Sequence, residues 1–332
     1  MSAFRAFRIH HDASGHHAGI ETMDADTLSA GEVLVKVAYS SVNYKDALAG
    51  SGRGRILRSS PLNGGIDVAG RVVASSDRAF AAGDAVLCTG SGLSEDRDGG
   101  YAAYARLQAR WTIPLPAGLS LRESMILGTA GFTAALALLR MQDNRQTPDL
   151  GPVAVTGASG GVGQLAIDIF SRAGYVVHAI SGKPEHFDRL RELGASECLD
   201  RHQLAFSGKP MESARFGGVL DNVGDGMLAG LLPLVAPYGN VAICGNAGGI
   251  GFDSTVMPFI IRGVSLLGVA SAGTARDQRE AVWRHLAGDW KPRSLDRIAT
   301  REIGLDELPG AFDHMLAGKS FGRTLVRVDS AL

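Results

Sequence analysis

Residues 152–163, Pro-Val-Ala-Val-Thr-Gly-Ala-Ser-Gly-Gly-Val-Gly (PVAVTGASGGVG), read as an apolar strand, a glycine turn and the start of a helix. Glycines let the chain reverse tightly. They also let backbone N–H groups approach a pyrophosphate, whose charge is favoured at a helix N-terminus. The spacing departs from strict G-x-G-x-x-G, but strand before and helix after are the context a dinucleotide site requires. Ser159, Gly160, Gly161 and Val162 are expected at the cofactor phosphates. The alternative is a purely structural turn.

Downstream, helices near 163–173, 184–193 and 227–235 alternate with apolar runs at 175–180 (YVVHAI), 197–199, 218–221, 240–244 and 265–269. Strands of continuous apolar character alternating with helices indicate a parallel sheet covered on both faces, a doubly wound α/β domain. An NAD site would place Asp or Glu after the second strand; here stand Ser181, Gly182 and Lys183. A hydroxyl and an ammonium suit a 2′-phosphate, so NADPH is the expected cofactor. Lys183 as a merely solvated side chain is the alternative. Residues after the later strands should border the cofactor, which singles out Asn222 and Asn246 for the nicotinamide-side ribose or carboxamide. Asn equally suits a turn.

Upstream, residues 31–39 alternate as Val33, Val35 and Val37, the pattern of a half-buried strand, and further short β-like runs follow at 66–74, 85–89 and 101–105. A β-rich barrel is expected there. Ser120 with Glu123 three residues on can cap a helix over 124–140. Near the end come a helix at 305–317 and an alternating strand at 323–328, expected to return to the first domain. The predicted domains are 1–123 completed by 294–332, and 124–293.

Composition narrows the function classes. A net charge of −1 over 332 residues gives no field favouring nucleic acid or an anionic membrane. Three cysteines without short spacing argue against a disulfide framework and for a reducing cytoplasm. No apolar run is read as reaching the roughly 18–20 residues of a membrane span, and residues 1–10 lack a signal-peptide core, so a soluble, unprocessed chain is expected. Glycine, at 44 residues, is about twice its usual ~7% share, consistent with many tight turns.

Six segments carry a family resemblance: 41–48 (SVNYKDAL), 65–70 (GIDVAG), 128–134 (GTAGFTA), 157–163, 256–269 (VMPFIIRGVSLLGV) and 322–326 (GRTLV). Together they resemble the acrylyl-CoA reductase branch of the medium-chain dehydrogenase/reductase, quinone oxidoreductase-like superfamily, over residues 4–328. The resemblance implies a GroES-like β-barrel catalytic domain beside the Rossmann domain. It also implies NADPH-dependent reduction of acryloyl-CoA to propionyl-CoA, and a homodimer. An edge position for strand 265–269, whose open backbone groups invite pairing, agrees with the last.

Zinc alcohol dehydrogenases of this superfamily hold a catalytic metal. Here the matching loops carry Asn43-Tyr44 and Ile66-Asp67, with no thiolate or imidazole. The pairs His10-His11 and His16-His17 lack the i, i+4 spacing of a metal site, so no metal is expected. Without a Lewis acid, reduction of an activated C=C bond remains open. It needs a donor at the developing enolate oxygen and a proton for the α-carbon. Tyr44 is the expected donor and a cofactor contact beside the nicotinamide, with Asn43 and Asp46 orienting it or the substrate. Proton delivery by water, and an Asn-Tyr pair that only closes a turn, stay open. Arg53 and Arg55, with Arg58 on the same loop, suit coenzyme A phosphates or simple solvation; Arg262 suits a phosphate or a helix cap. The competing readings are a quinone or enone reductase and a non-enzymatic NADPH-binding protein.

Overall fold

Val33, Val35 and Val37 point one way from a single strand into a core with Val68, Val72, Val86 and Leu107. The structure, a computed structural model, describes residues 3–13 and 15–329. Residues 1, 2, 14 and 330–332 of the predicted domains lie outside those described. The chain divides into two units, Met1–Thr129 with Ala272–Trp283 and Leu295–Leu332, and Ala130–Ser271 with Arg284–Ser294.

In the first unit a hairpin of β1 (Phe4–Asp12) and β2 (Gly15–Met23) precedes β3 (Val33–Val42) and helix α1 (Tyr44–Ser51). Then come β4 (Leu62–Asn63), β5 (Asp67–Ser75), β6 (Ala85–Thr89), β7 (Tyr104–Leu107) and β8 (Ile113–Pro114). Strand β3 is the hub, antiparallel to both β5 and β7. It is buried on both faces rather than one. The hairpin's Phe4, Ala6 and Met23 cover Leu34, which the alternating valines alone did not disclose. Ser120 and Glu123 form the expected reciprocal cap at the start of α2 (Leu121–Asp143). This helix is the one among the described residues long and apolar enough to cross a membrane, and 83% of its apolar window is buried in the protein. The expectation that no such segment exists is corrected: α2 is a core helix, broken at Gly128.

The second unit holds β9 (Val153–Thr156), β10 (Val177–Ser181), β11 (Ala195–Asp200), β12 (Phe216–Asp221), β13 (Val235–Ile243) and β14 (Ser265–Gly268). They form one parallel sheet in the order β11-β10-β9-β12-β13-β14. The order reverses between β9 and β12, where ligands of such sheets bind beyond the carboxyl ends of the strands. Helices α3 (Gly161–Arg172), α4 (Phe187–Glu192), α5 (Asp225–Leu231) and α6 (Met257–Arg262) connect them. Strand β14 lies at the edge, as expected.

The chain then returns through α7 (Arg276–Ala287), α8 (Leu295–Ile298), β15 (Ala299–Ile303), α9 (Leu308–Leu316) and β16 (Arg323–Arg327). Strand β16 pairs antiparallel with β3 and parallel with β15, so the C-terminus does close the first sheet. Residues 272–283, predicted with the second domain, group with the first because Arg279 is fully buried there, donating to Thr89 O at 2.9 Å. Helix α9 presses on α1, where Gly50 leaves room for the Phe312 ring; a Cβ at Gly50 would meet that ring at 2.2 Å.

Gly163 has no such latitude. A Cβ there would meet Gly157 O at 2.5 Å and Ala158 Cα at 2.6 Å, both backbone atoms of the turn. Gly163→Ala is expected to lower stability by about 1–3 kcal/mol, read as a reduced urea midpoint at unchanged m-value.

Candidate active site

In the second unit, Gly157 takes φ +58° and lets the chain double back, with Gly160 N–H donating to Gly157 O at 2.9 Å. The first N–H groups of α3, from Gly161, Val162 and Gly163, have no carbonyl one turn back and point out of the helix start. Ser159 is buried, and Gln164 Nε2 donates to its carbonyl, fixing the loop. Gly160 is the non-helical residue before the first turn. The result is a shallow cradle of amide donors at the positive end of a helix dipole, suited to a pyrophosphate.

At the end of β10, Ser181 Oγ accepts from Lys183 N–H at 3.2 Å. Burial lowers the Lys183 pKa, against the pull of Glu185, and the neighbouring Arg201 lowers it further. Beside the expected Ser181, Gly182 and Lys183 stand Arg201 and His202, which no local sequence signal marks. A Cβ on Gly182 would meet Arg201 Nε at 2.5 Å and His202 Nε2 at 2.9 Å, so this guanidinium lies directly on the turn. Parallel pairing of β11 with β10 puts the two strand ends side by side, and Arg201 N–H donates to Ser181 O at 3.0 Å. Two cations, a hydroxyl and an imidazole converge at this turn, a donor set that suits a phosphate.

The two predicted asparagines part company. Asn222 Nδ2 donates to Thr156 O at 2.7 Å, and its Oδ1 accepts from the Cys244 thiol at 3.0 Å. Its side chain therefore braces the ends of β9, β12 and β13, with Thr156 Oγ1 also donating to Asp221 at 2.7 Å. Asn246 is exposed and its amide has no protein partner among the described residues. Arg262 is a brace as well, donating to the carbonyls of Pro233 and Val235 at 2.8 Å.

In the first unit, Asn43 precedes α1 and its backbone N–H donates to the Asp46 carboxylate at 2.8 Å. Asp46 also accepts from Ile66 N–H at 2.9 Å and from Asn43 Nδ2. Beside it Asp67 accepts from Ser41 Oγ at 2.6 Å, Asn43 Nδ2 at 2.8 Å and Thr129 Oγ1 at 2.6 Å. Arg323 closes the group. It donates to Ser41 Oγ, Asn43 Oδ1, Val42 O and Ile126 O, and lies 3.8 Å from Asp67. The break in α2 makes this possible: Gly128 holds φ +49°, and a Cβ there would meet Asp67 Oδ2 at 2.5 Å.

Asn43 and Asp46 are thus positioning residues, committed to this network rather than open to a substrate. Tyr44, the next residue along from Asn43, is 44% exposed, and its phenol has no protein partner among the described residues. It is the group of the loop free to meet a ligand. Arg53 and Arg55 are exposed beyond the other end of α1. Asp67, Thr129 and Arg323 were visible in sequence only as parts of separate motifs, not as one centre.

Burial and the Asp67 charge push the Asp46 carboxyl up to about 7. Burial raises each of the three thiols too: Cys88 to about 11, and Cys198 and Cys244 likewise upward.

The sequence matches the alcohol dehydrogenase GroES-like domain family over residues 29–117 and the zinc-binding dehydrogenase family over 161–288. It is 44% identical to a probable acrylyl-CoA reductase AcuI of Escherichia coli strain K12, over 94% of this chain and 96% of that one. It is 43% identical to a putative quinone oxidoreductase YhfP of Bacillus subtilis strain 168, over 98% and 99%. The crystal structure of B. subtilis yhfP with NAD bound has a TM-score of 0.95 at 42% identity, covering 99% of this chain and 100% of that one. The yhdH oxidoreductase of Salmonella enterica in complex with NADP has a TM-score of 0.94 at 43% identity, covering 98% and 100%. A catalytic zinc does not fit the residues of this chain. The Asn43–Asp67 centre offers no thiolate or imidazole, its carboxylate oxygens are hydrogen-bonded, and a guanidinium stands among them.

The Asp46 proton has a sign that can be checked. The folded carboxyl keeps its proton to about pH 7, whereas the unfolded one loses it near 3.8. Its stabilising contribution is therefore complete below pH ~4 and lost as pH rises to ~7. Asp46→Asn has no proton to lose, so the stability of wild type minus variant is expected to fall by roughly 2–4 kcal/mol between pH 4 and 7.5 in urea unfolding.

Proposed function

The chain belongs to the medium-chain dehydrogenase/reductase superfamily, in the branch that holds acrylyl-CoA reductases and quinone oxidoreductases, and from that premise we propose that it reduces the C=C bond of an α,β-unsaturated acyl-CoA with NADPH, converting acryloyl-CoA to propionyl-CoA. The observation that carries this reading is Tyr44: an exposed phenol, free of partners among the described residues, held at the start of α1 by a buried network that leaves no place for a Lewis-acid metal.

NADPH, when bound, supplies a hydride to the β-carbon. The amide groups of Gly161 to Gly163 hold the pyrophosphate, with Ser159 and Gly160 shaping the turn, and Ser181, Lys183 and Arg201 hold the 2′-phosphate. Tyr44 donates a hydrogen bond to the thioester oxygen, where negative charge develops as the hydride arrives. The α-carbon then takes a proton from water or from the same phenol. Arg53 and Arg55 meet the coenzyme A phosphates. Tyr44 and these arginines stand at opposite ends of α1, about 12 Å apart by the rise of an eight-residue helix. The reactive acyl group and the phosphates of coenzyme A are likewise held apart, by the pantetheine arm.

A quinone oxidoreductase reading rests on the name of the B. subtilis relative. It differs in needing no coenzyme A moiety. We further infer that a second copy pairs at the open edge of β14, where Leu266 and the neighbouring Ile260, Ile261 and Val256 are exposed. A reducing, cytoplasmic setting suits the three unpaired thiols.

NADPH oxidation followed with acryloyl-CoA, crotonyl-CoA and a simple quinone tests the substrate: turnover with the thioesters alone supports the proposal, and turnover with the quinone alone overturns it. Tyr44→Phe is expected to lower kcat about 10²-fold, the loss of one donor at a developing oxyanion, with the KM for NADPH little changed. Arg201→Ala is expected to raise the KM for NADPH about 10- to 100-fold while leaving that for NADH within about twofold, as loss of a charge-assisted bond to the 2′-phosphate requires.

A further inference from the structure

The hairpin of β1 and β2 does across its strands what the sequence spacing of its histidines does not do along them. His10 pairs directly opposite His17. Residues opposite each other in an antiparallel pair project from the same face, and the two imidazoles stack with ring centres 4.3 Å apart and planes 11° apart. Asp12, two residues beyond His10, projects from that face as well. A ring nitrogen of each histidine and a carboxylate oxygen of Asp12 all lie within 4.8 Å of one another. This is the one such group of three or more His, Cys, Asp or Glu ligands among the described residues.

A second contact prepares the site. His10 Nε2 is bonded to Glu21 Oε1 at 2.5 Å, an arrangement that holds the ring, fixes the Nε2–H tautomer and leaves the Nδ1 lone pair for a metal. Carboxylates play this part behind metal-bound histidines. Asp12 and His17 are exposed and His10 is half-buried, so an ion has an open path and room for water to complete its coordination.

We propose that the end of this hairpin binds one divalent transition-metal ion, through His10, His17 and Asp12. Two imidazoles and one carboxylate select zinc, nickel or copper(II) over magnesium and calcium, which prefer all-oxygen shells. Ligand atoms must close by about 1 Å to reach the spacing set by metal–ligand bonds of ~2.0–2.2 Å, and the exposed His17 ring must turn out of its stack on His10 so that both in-plane lone pairs meet the ion. The ion ties β1 to β2. The adjacent His16 lies against α1, its Nε2 3.0 Å from Ala49 O, so the strand that gains the tie also supports the helix that begins at Tyr44. The site stands on the first unit alone and does not depend on the reaction proposed above.

Untagged, full-length protein stripped with EDTA and then dialysed would be titrated with zinc chloride and with nickel chloride by calorimetry, in a non-coordinating buffer at neutral pH. One equivalent of each metal per chain is expected, with a thermal midpoint raised by a few degrees and restored by EDTA. His17→Gln and Asp12→Asn, which change exposed side chains, should each weaken binding at least tenfold while keeping the wild-type midpoint in EDTA. His314→Gln, on the exposed side of α9, should change nothing. Wild-type protein that binds no metal at micromolar concentrations, or binding undiminished in His17→Gln, would overturn the proposal.

Discussion

The ion pair of Asp67 and Arg323, with side chains 0% and 3% exposed, is the constraint on which the first unit's site depends. Two charges taken out of water are tolerable only if each is met by further hydrogen bonds. Here Ser41, Asn43 and Thr129 donate to Asp67, while Ser41, Val42, Asn43 and Ile126 accept from Arg323. The pair and its partners come from β5, β16, the end of β3 with the residue that follows it, and the break in α2, segments separated by up to about 280 residues of chain. Meeting the charges therefore fixes four chain segments at one point, and Tyr44 leaves that point as the next residue after Asn43. Burial of a second carboxylate at the same centre is what keeps a proton on Asp46 near neutral pH.

The second unit uses a milder device. Thr156, Asp221, Asn222 and Cys244 are joined edge to edge across the ends of three parallel strands. The glycine turn starts from a frame that is already rigid, so its amide donors are preorganised for an anion rather than gathered by it. The same lateral order that ties β9 to β12 puts Arg201, at the end of β11, over Gly182 at the end of β10.

How much of this was legible depended on whether a signal was local. The strand, turn and helix over 152–172 could be read because every part of the pattern adjoins the next. The Ser120–Glu123 cap was readable for the same reason. Tyr44 was readable as a residue but not as an exposed one. The centre that holds it was not, because Asp67, Gly128 and Arg323 each belong to a different motif and meet only through β-sheet pairing and a helix break. Arg201 escaped because it meets the β10 turn through its strand neighbour, not its sequence neighbour. Asn222 shows the reverse: its place after a strand suited a cofactor contact, while the side chain serves the frame. The histidines of the hairpin repeat the lesson, since the register that aligns His10 with His17 crosses the turn.

The raised thiols bear on the proposed substrate class, the α,β-unsaturated thioesters. Such compounds are electrophiles, and the thiolate, not the thiol, is the form that adds to their β-carbon. Burial holds Cys88 protonated to about pH 11 and pushes Cys198 and Cys244 upward as well, and Cys244 spends its S–H on Asn222. With the proposed substrate, the protein would meet an alkylating compound while withholding its own nucleophiles from it, a form of self-protection built from nothing more than low dielectric around sulfur.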